Sequence, residues 1–189
     1  MGGVNSQAMS NTGSERDREF LAHTPIFAGL PERVIELISH SVRKVELAAG
    51  EVLLREGDPA RSMFVVRSGE IEIFKNGNAG AEQRLAILKL SDCLGEMSLI
   101  DIQPRSATAR ARGAATVYAL ELAELAKLYS SDIEAYALLI LNISREISRR
   151  LRCADELIVS RGITAADTLW SDAADTAARS SRLVATEPS

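Results

Sequence analysis

Asp92-Cys93-Leu94-Gly95-Glu96-Met97-Ser98-Leu99-Ile100-Asp101-Ile102-Gln103-Pro104-Arg105-Ser106-Ala107-Thr108-Ala109-Arg110-Ala111 decides how this chain is read. Short apolar runs and turn residues alternate on both sides of it. Inside it, Gly95 to Asp101 is too short for an ordinary helix and lacks the alternation of a strand, so it predicts one helical turn set into β structure. A small phosphate diester with a ribose attached needs particular groups. Unpaired backbone N–H groups at a helix start converge on the anion. A planar guanidinium fork matches two phosphate oxygens. A ribose hydroxyl needs an acceptor such as a carboxylate, and close backbone approach needs glycine. Gly95, Glu96, the turn from Met97 through Ser98 to Ile100, Arg105 and Ser106 bring these together in one short stretch.

Working outward, Val42 to Leu120 carries turn residues at close intervals: Gly50-Glu51, Gly57-Asp58-Pro59, Ser68-Gly69, Asn76-Gly77-Asn78 and Gly113. Between them lie Val52-Leu53-Leu54, Met63-Phe64-Val65-Val66, Ile71-Glu72-Ile73-Phe74, Leu85-Ala86-Ile87-Leu88 and Thr116-Val117-Tyr118-Ala119-Leu120. Many short strands at this spacing predict a sandwich or small barrel. The expected fold is mainly β with flanking helices, a jelly-roll β-barrel (double-stranded β-helix) over about 42–120. Before it, residues 14–40 show apolar residues at helical spacing, broken at Thr24-Pro25 and Gly29-Leu30-Pro31. They predict two short helices with a kinked connection. After it, Leu122, Leu125 and Leu128 predict a short helix. A long one follows, capped by Ser131 or Asp132, carrying Ile133, Tyr136, Ile140, Ile143, Ile147, Leu151, Ala154 and Ile158 and stopping near Gly162. The expected domain is therefore 14–162, with C-terminal helices over about 121–160. Residues 1–13 read as a disordered polar leader, and 163–189 as an Ala/Ser/Asp-rich tail holding Trp170.

Composition limits the chemistry. The 189 residues are 46% hydrophobic and 25% charged, as in an ordinary globular protein. With 26 acidic against 22 basic residues, the bulk charge gives no nucleic-acid footprint. Two cysteines, Cys93 and Cys153, are too few for a disulfide framework and read as buried thiols. His23 and His40 fall in the helical lead-in and read as solvated, so the strands offer no histidine cluster for a metal. No apolar run is long enough to span a bilayer, and the leader lacks a signal-peptide core, so a cytoplasmic protein is expected. No nucleophile is paired with a base, and the expectation is a binding protein rather than an enzyme, without metal or cofactor.

Gly95-Glu96-Met97-Ser98-Leu99 followed by Pro104-Arg105-Ser106-Ala107-Thr108 resembles the phosphate-binding cassette of the cyclic-nucleotide-binding domain family. That family includes the bacterial catabolite activator protein and the regulatory subunits of cyclic-AMP-dependent kinase. Ile26-Phe27-Ala28-Gly29-Leu30 is similar to its helical lead-in, and Gly50-Glu51-Val52-Leu53, Glu56-Gly57-Asp58-Pro59 and Met63 to Ile71 to its early strands. The resemblance covers roughly Leu21 to Ile158. It implies that Arg105 grips the exocyclic oxygens of a cyclic phosphate, Glu96 accepts from the ribose 2′-hydroxyl, and Gly95 permits close approach. Backbone N–H groups at Met97 and Ser98 would face the anion, Ser106 would add a hydroxyl or N–H, and Ile73 and Leu85 would line the base. The implied ligand is a cyclic mononucleotide, cyclic AMP before cyclic GMP, because Ser106 matches the residue in the catabolite activator protein. A cyclic dinucleotide and a ligand-free scaffold are the alternatives.

The resemblance also implies that a ligand moves the C-terminal helices. Ile133, Tyr136, Ile140, Ile143, Ile147, Ala154 and Leu157 approximate a heptad seam, flanked by Arg145, Glu146, Arg149, Arg150 and Arg152. A homodimer through 132–158 is expected. About 27 residues follow the long helix, against the roughly 60 of a helix-turn-helix module, and none forms a basic recognition helix. The expectation is thus a stand-alone sensor acting on an unknown effector protein, with no DNA and no membrane partner. A diverged transcription regulator is the rival reading.

Overall fold

A computed structural model describes residues 14–76, 81–101 and 103–160, apart from the side chains of 98 and 99. The expected stop at Gly162, the leader, the tail and Trp170 lie outside the described residues. Ser14 opens the first helix, α1 (Glu15–Ala22), by accepting from the Asp17 N–H at 3.2 Å. The break at Thr24-Pro25 becomes a single 3-10 turn, Pro25–Phe27, and α2 spans Glu32–Ser41. The strands follow: β1 (Arg43–Leu47), β2 (Val52–Leu54), β3 (Ser62–Ser68), β4 (Ile71–Asn76), β5 (Glu82–Leu88) and β6 (Cys93–Leu94). The predicted helical turn is α3 (Met97–Ile100). After β7 (Thr108–Ala111) and β8 (Ala115–Glu121) come α4 (Leu122–Ser131) and α5 (Ile133–Ser160).

Two four-stranded antiparallel sheets result, ordered β1-β8-β3-β6 and β2-β7-β4-β5. The expected jelly roll is present as two separate sheets, not as a closed cylinder. Strand alternation divides the core into two layers. Phe64 and Val66 pair with Ala119 and Val117, and these four join Ile71, Leu88, Leu94, Ala109 and Ala111 in one buried cluster. The alternate residues Met63 and Val65 pair with Leu120 and Tyr118 on the opposite face. That face lies under helices: α2 and α4 contact β8, and Phe20 of α1 meets Tyr118 edge-on at 5.7 Å. Leu21, Ile26, Phe27, Val34, Ile35, Ile38, Leu125 and Leu128 are buried on the helical side. Each such side chain contributes about 1.5–3 kcal/mol, so the helices and the strand pair they cover depend on each other.

The chain falls into two units, divided between Glu146 and Ile147. In the first, α5 buries Ala135, Leu139, Asn142 and Ile143. In the second, Leu151, Leu157 and Val159 are exposed. Cys93 is buried as expected, but Cys153 is exposed, because it falls on this second, almost wholly solvated stretch of α5.

Candidate functional site

The site forms where β6 ends. Leu94 and Cys93 pair with Phe64 and Val65 of β3, and the chain then turns at Gly95, whose φ is +74°. A side chain strains that conformation. Space forbids one as well: a Cβ on Gly95 would overlap Nη1 of Arg105 and lie 3.2 Å from the Ser62 carbonyl oxygen. Glu96 follows in helical conformation and leads into α3.

Arg105 returns to the same place. Its backbone is fixed by two bonds to the turn between β2 and β3. The Arg105 N–H donates to the Asp58 carbonyl at 2.9 Å, and the Gly57 N–H donates to the Arg105 carbonyl at 2.9 Å. The side chain is then directed inward and is only 7% exposed. Nη2 donates to the Ser62 carbonyl at 2.6 Å and lies 3.5 Å from Ser62 Oγ, while Nη1 reaches the Gly95 carbonyl at 3.4 Å. The guanidinium lies 5.8 Å from the Phe64 ring centroid. Burial draws its pKa below the ordinary arginine value, and the charges of Glu121, Glu96 and Asp58 oppose that shift. A buried cation held mainly by carbonyls is costly unless charge compensates it. Glu96 is itself only 4% exposed. The fork has five N–H donors, and the carbonyl bonds use only part of that capacity. A buried cation beside a buried carboxylate, with the backbone close by, can hold a small molecule that carries both an anion and a hydroxyl.

Gly95, Glu96 and Arg105 are thus brought together. Met97 and Ser106 flank them in the chain and are exposed; the Ser98 side chain lies outside the described set. Ile73 is half-buried against the inter-sheet cluster and pairs with Ala86 and Ala109. Leu85, the other residue expected to line the base, is not packed in that cluster. The register of β4 against β5 slips between Ile73 and Phe74, so Leu85 sits in the bulge between Ala86 and Arg84 and is 56% exposed. The sequence gives no hint of Ser62, Phe64 or Glu121 at the site. Ser62 acts through its main-chain carbonyl, which any residue carries, and Glu121 lies at the far end of another strand.

Residues 44–132 match the family described as cyclic nucleotide-binding domain. The cyclic AMP receptor protein of Thermus thermophilus is 34% identical over 137 residues, 70% of this chain and 59% of that relative. Residues 44–132 belong to the cyclic nucleotide-binding domain family. Among solved structures, a cyclic nucleotide-binding domain from Methylobacillus flagellatus shares the fold with a TM-score of 0.74 at 20% identity, over 84% of this chain and 90% of that one. The N-terminal domain of a transcriptional regulator from Streptomyces coelicolor is 32% identical with a TM-score of 0.61, over 69% and 93%. The chain spans 22% to 59% of the length of the first three curated relatives. The matched stretch of the cyclic nucleotide-binding domain contains Gly95, Glu96 and Arg105 and ends at Asp132, the residue before α5. Among the described residues, no helix is long and apolar enough to cross a membrane, and no group of three or more His, Cys, Asp or Glu is placed to hold a metal ion.

Proposed function

We propose that this chain is a cyclic-mononucleotide receptor that prefers cyclic AMP and binds without catalysis. The observation that carries this reading is the Arg105 guanidinium, buried and aimed at a glycine whose position admits only hydrogen. On binding, Arg105 exchanges carbonyl acceptors for the exocyclic phosphate oxygens, which make shorter, charge-assisted bonds. Glu96 accepts from the ribose 2′-hydroxyl. The N–H groups at Met97 and Ser98 face the anion, and Ser106 adds a donor at its edge. Ile73 belongs beneath the base, and Leu85, on its exposed bulge, closes against the base from the rim. The preference for cyclic AMP is supported by Ser106 and by the name of the Thermus relative.

Ligand shifts the protein between two states only by its difference in affinity for them, and α4 and α5 are the proposed moving elements. The exposed apolar residues Ile133, Leu151 and Leu157 support a homodimer along α5. The output is proposed to pass to a protein effector. A gel shift on promoter DNA tests the rival that the names of the transcription-regulator relatives raise, and no shift is expected. Isothermal titration tests the central reading. Wild type is expected to bind cyclic AMP more tightly than cyclic GMP. Arg105→Ala is expected to lose about 100-fold or more, roughly 3 kcal/mol of charge-assisted bonding. Equal binding by wild type and a folded Arg105→Ala overturns the assignment.

A further inference from the structure

Arg105 is not idle in the ligand-free protein, and its resting partners are specific. Nη2 makes its shortest bond, 2.6 Å, to the carbonyl of Ser62, the first residue of β3. Ser62 stands opposite Glu121, the last residue of β8, in the antiparallel register. Glu121 is therefore carried to the same sheet end that receives the guanidinium. It is the foremost of the three carboxylates whose charge favours the protonated guanidinium, ahead of Glu96 and Asp58. Its position is also a junction. Glu121 immediately precedes α4, makes no side-chain capping bond there, and the Leu122 N–H donates to the Arg61 carbonyl at 2.9 Å. The carboxylate is half-exposed and shares its charge with Arg43 at 3.6 Å.

We infer that Glu121 competes with the ligand for Arg105: the Ser62 carbonyl holds the guanidinium at the β3–β8 end, the Glu121 charge opposes there the field that an incoming anion meets, and an anionic ligand must draw the guanidinium away. This rests on the receptor reading above. An anion entering the site meets a cation whose field is partly cancelled by Glu121. Removing that charge leaves Arg105 in place on Ser62 and strengthens its attraction for phosphate. The seat lies one residue from the start of α4, so occupancy is felt where the C-terminal helices begin.

The test compares wild type with Glu121→Gln, Glu121→Asp and Glu46→Gln. The last removes the same charge from β1, where Glu46 pairs with Lys44 at 2.7 Å. Titration with cyclic AMP is expected to show Glu121→Gln binding about three- to tenfold more tightly, as the loss of one partly solvated opposing charge implies. Glu121→Asp should restore wild-type affinity, and Glu46→Gln should leave it unchanged. The gain should shrink at about 0.5 M salt, where exposed charges are screened. A readout without ligand accompanies this: the Arg105 guanidinium signal in nitrogen–proton spectra, assigned with Arg105→Lys, shifts in Glu121→Gln and not in Glu46→Gln. Unchanged or weaker affinity in Glu121→Gln, or an unmoved guanidinium signal, overturns the inference. If no cyclic nucleotide binds any of these proteins, the receptor reading fails. Inorganic phosphate then decides the inference, which stands if Glu121→Gln tightens phosphate binding and falls if it does not.

Discussion

Two glycines show how one backbone conformation serves different ends at the scale of a residue. Gly69, between β3 and β4, has φ +79°, and a Cβ there would lie 2.7 Å from Cα of Ala115. Gly95 has φ +74°, and its Cβ would strike the Arg105 guanidinium, which could make room only by leaving its seat on the Ser62 carbonyl. Alanine at either position pays about 1–2 kcal/mol for the left-handed conformation. The second cost differs. At Gly69 it falls on β8 backbone, so Gly69→Ala is expected to lower the melting temperature by about 4–8 °C, matching roughly 2 kcal/mol, with cyclic AMP affinity essentially unchanged. At Gly95 the cost falls on Arg105, the proposed binding group. Gly95→Ala is expected to lower affinity about tenfold or more with a smaller loss of melting temperature. Scanning calorimetry and titration on both variants separate the effects, and equal affinity losses would refute the distinction. The special role of Gly95 was legible in the sequence because Glu96 and Arg105 stand near it. That of Gly69 was legible only as a turn.

At the scale of an element, α5 shows where hydrophobic periodicity reaches its limit. Its first half is apolar on nearly every side: Ile133, Ala135, Tyr136, Ala137, Leu138, Leu139, Ile140, Leu141 and Ile143. The three-and-four spacing through Ile133, Tyr136 and Ile140 is real, yet the buried stripe is Ala135, Leu139, Asn142 and Ile143. Only Ile143 is common to the two stripes, and spacing alone cannot choose between them. A polar residue marks the buried side. Asn142 Nδ2 donates to the Ala28 carbonyl at 2.8 Å and the Ile26 carbonyl at 3.3 Å, tying α5 to the 3-10 turn. Its Oδ1 accepts from Arg145 at 3.1 Å. Asn142→Ala strips two carbonyls of this donor and is expected to cost about 1–3 kcal/mol, seen as a lower urea midpoint. An unchanged midpoint would mean that water replaces the amide at no cost. By contrast α3 and α4 were legible from sequence, because a Gly-bounded turn and a single leucine stripe each admit one reading. The bulge at Leu85 was not, since nothing local in β5 records a slip that its pairing with β4 imposes.

For the whole molecule, strands could be located by their turn residues, but their partners could not. Phe64 pairs with Ala119 across more than fifty residues, and such pairing is set by which faces must be buried together, not by local spacing. The joint between the sheet bearing β3 and β8 and its helical cover is partly polar, and it gives the fold a dependence on pH. Tyr118 is 1% exposed beneath α1, where its hydroxyl donates to Asp17 Oδ1. Burial first, and the Asp17 hydrogen bond second, push its pKa up to about 12 from 10.0. The sign follows from linkage. Below pH 10 the tyrosine is neutral in both folded and unfolded chains, and its full contribution to stability is present. Between about pH 10 and 12 the unfolded chain gives up this proton while the folded one keeps it, so stability falls as pH rises through that window. Tyr118→Phe removes the hydroxyl. It is expected to be less stable than wild type at pH 8 by about 1 kcal/mol, the worth of one hydrogen bond, and to lack this component of the alkaline decline. Urea midpoints of the two proteins should therefore converge between pH 10 and 12. Parallel curves across that window would show that the Tyr118 hydroxyl ionises as readily in the folded protein as in the unfolded chain, and that α1 does not seal it from water.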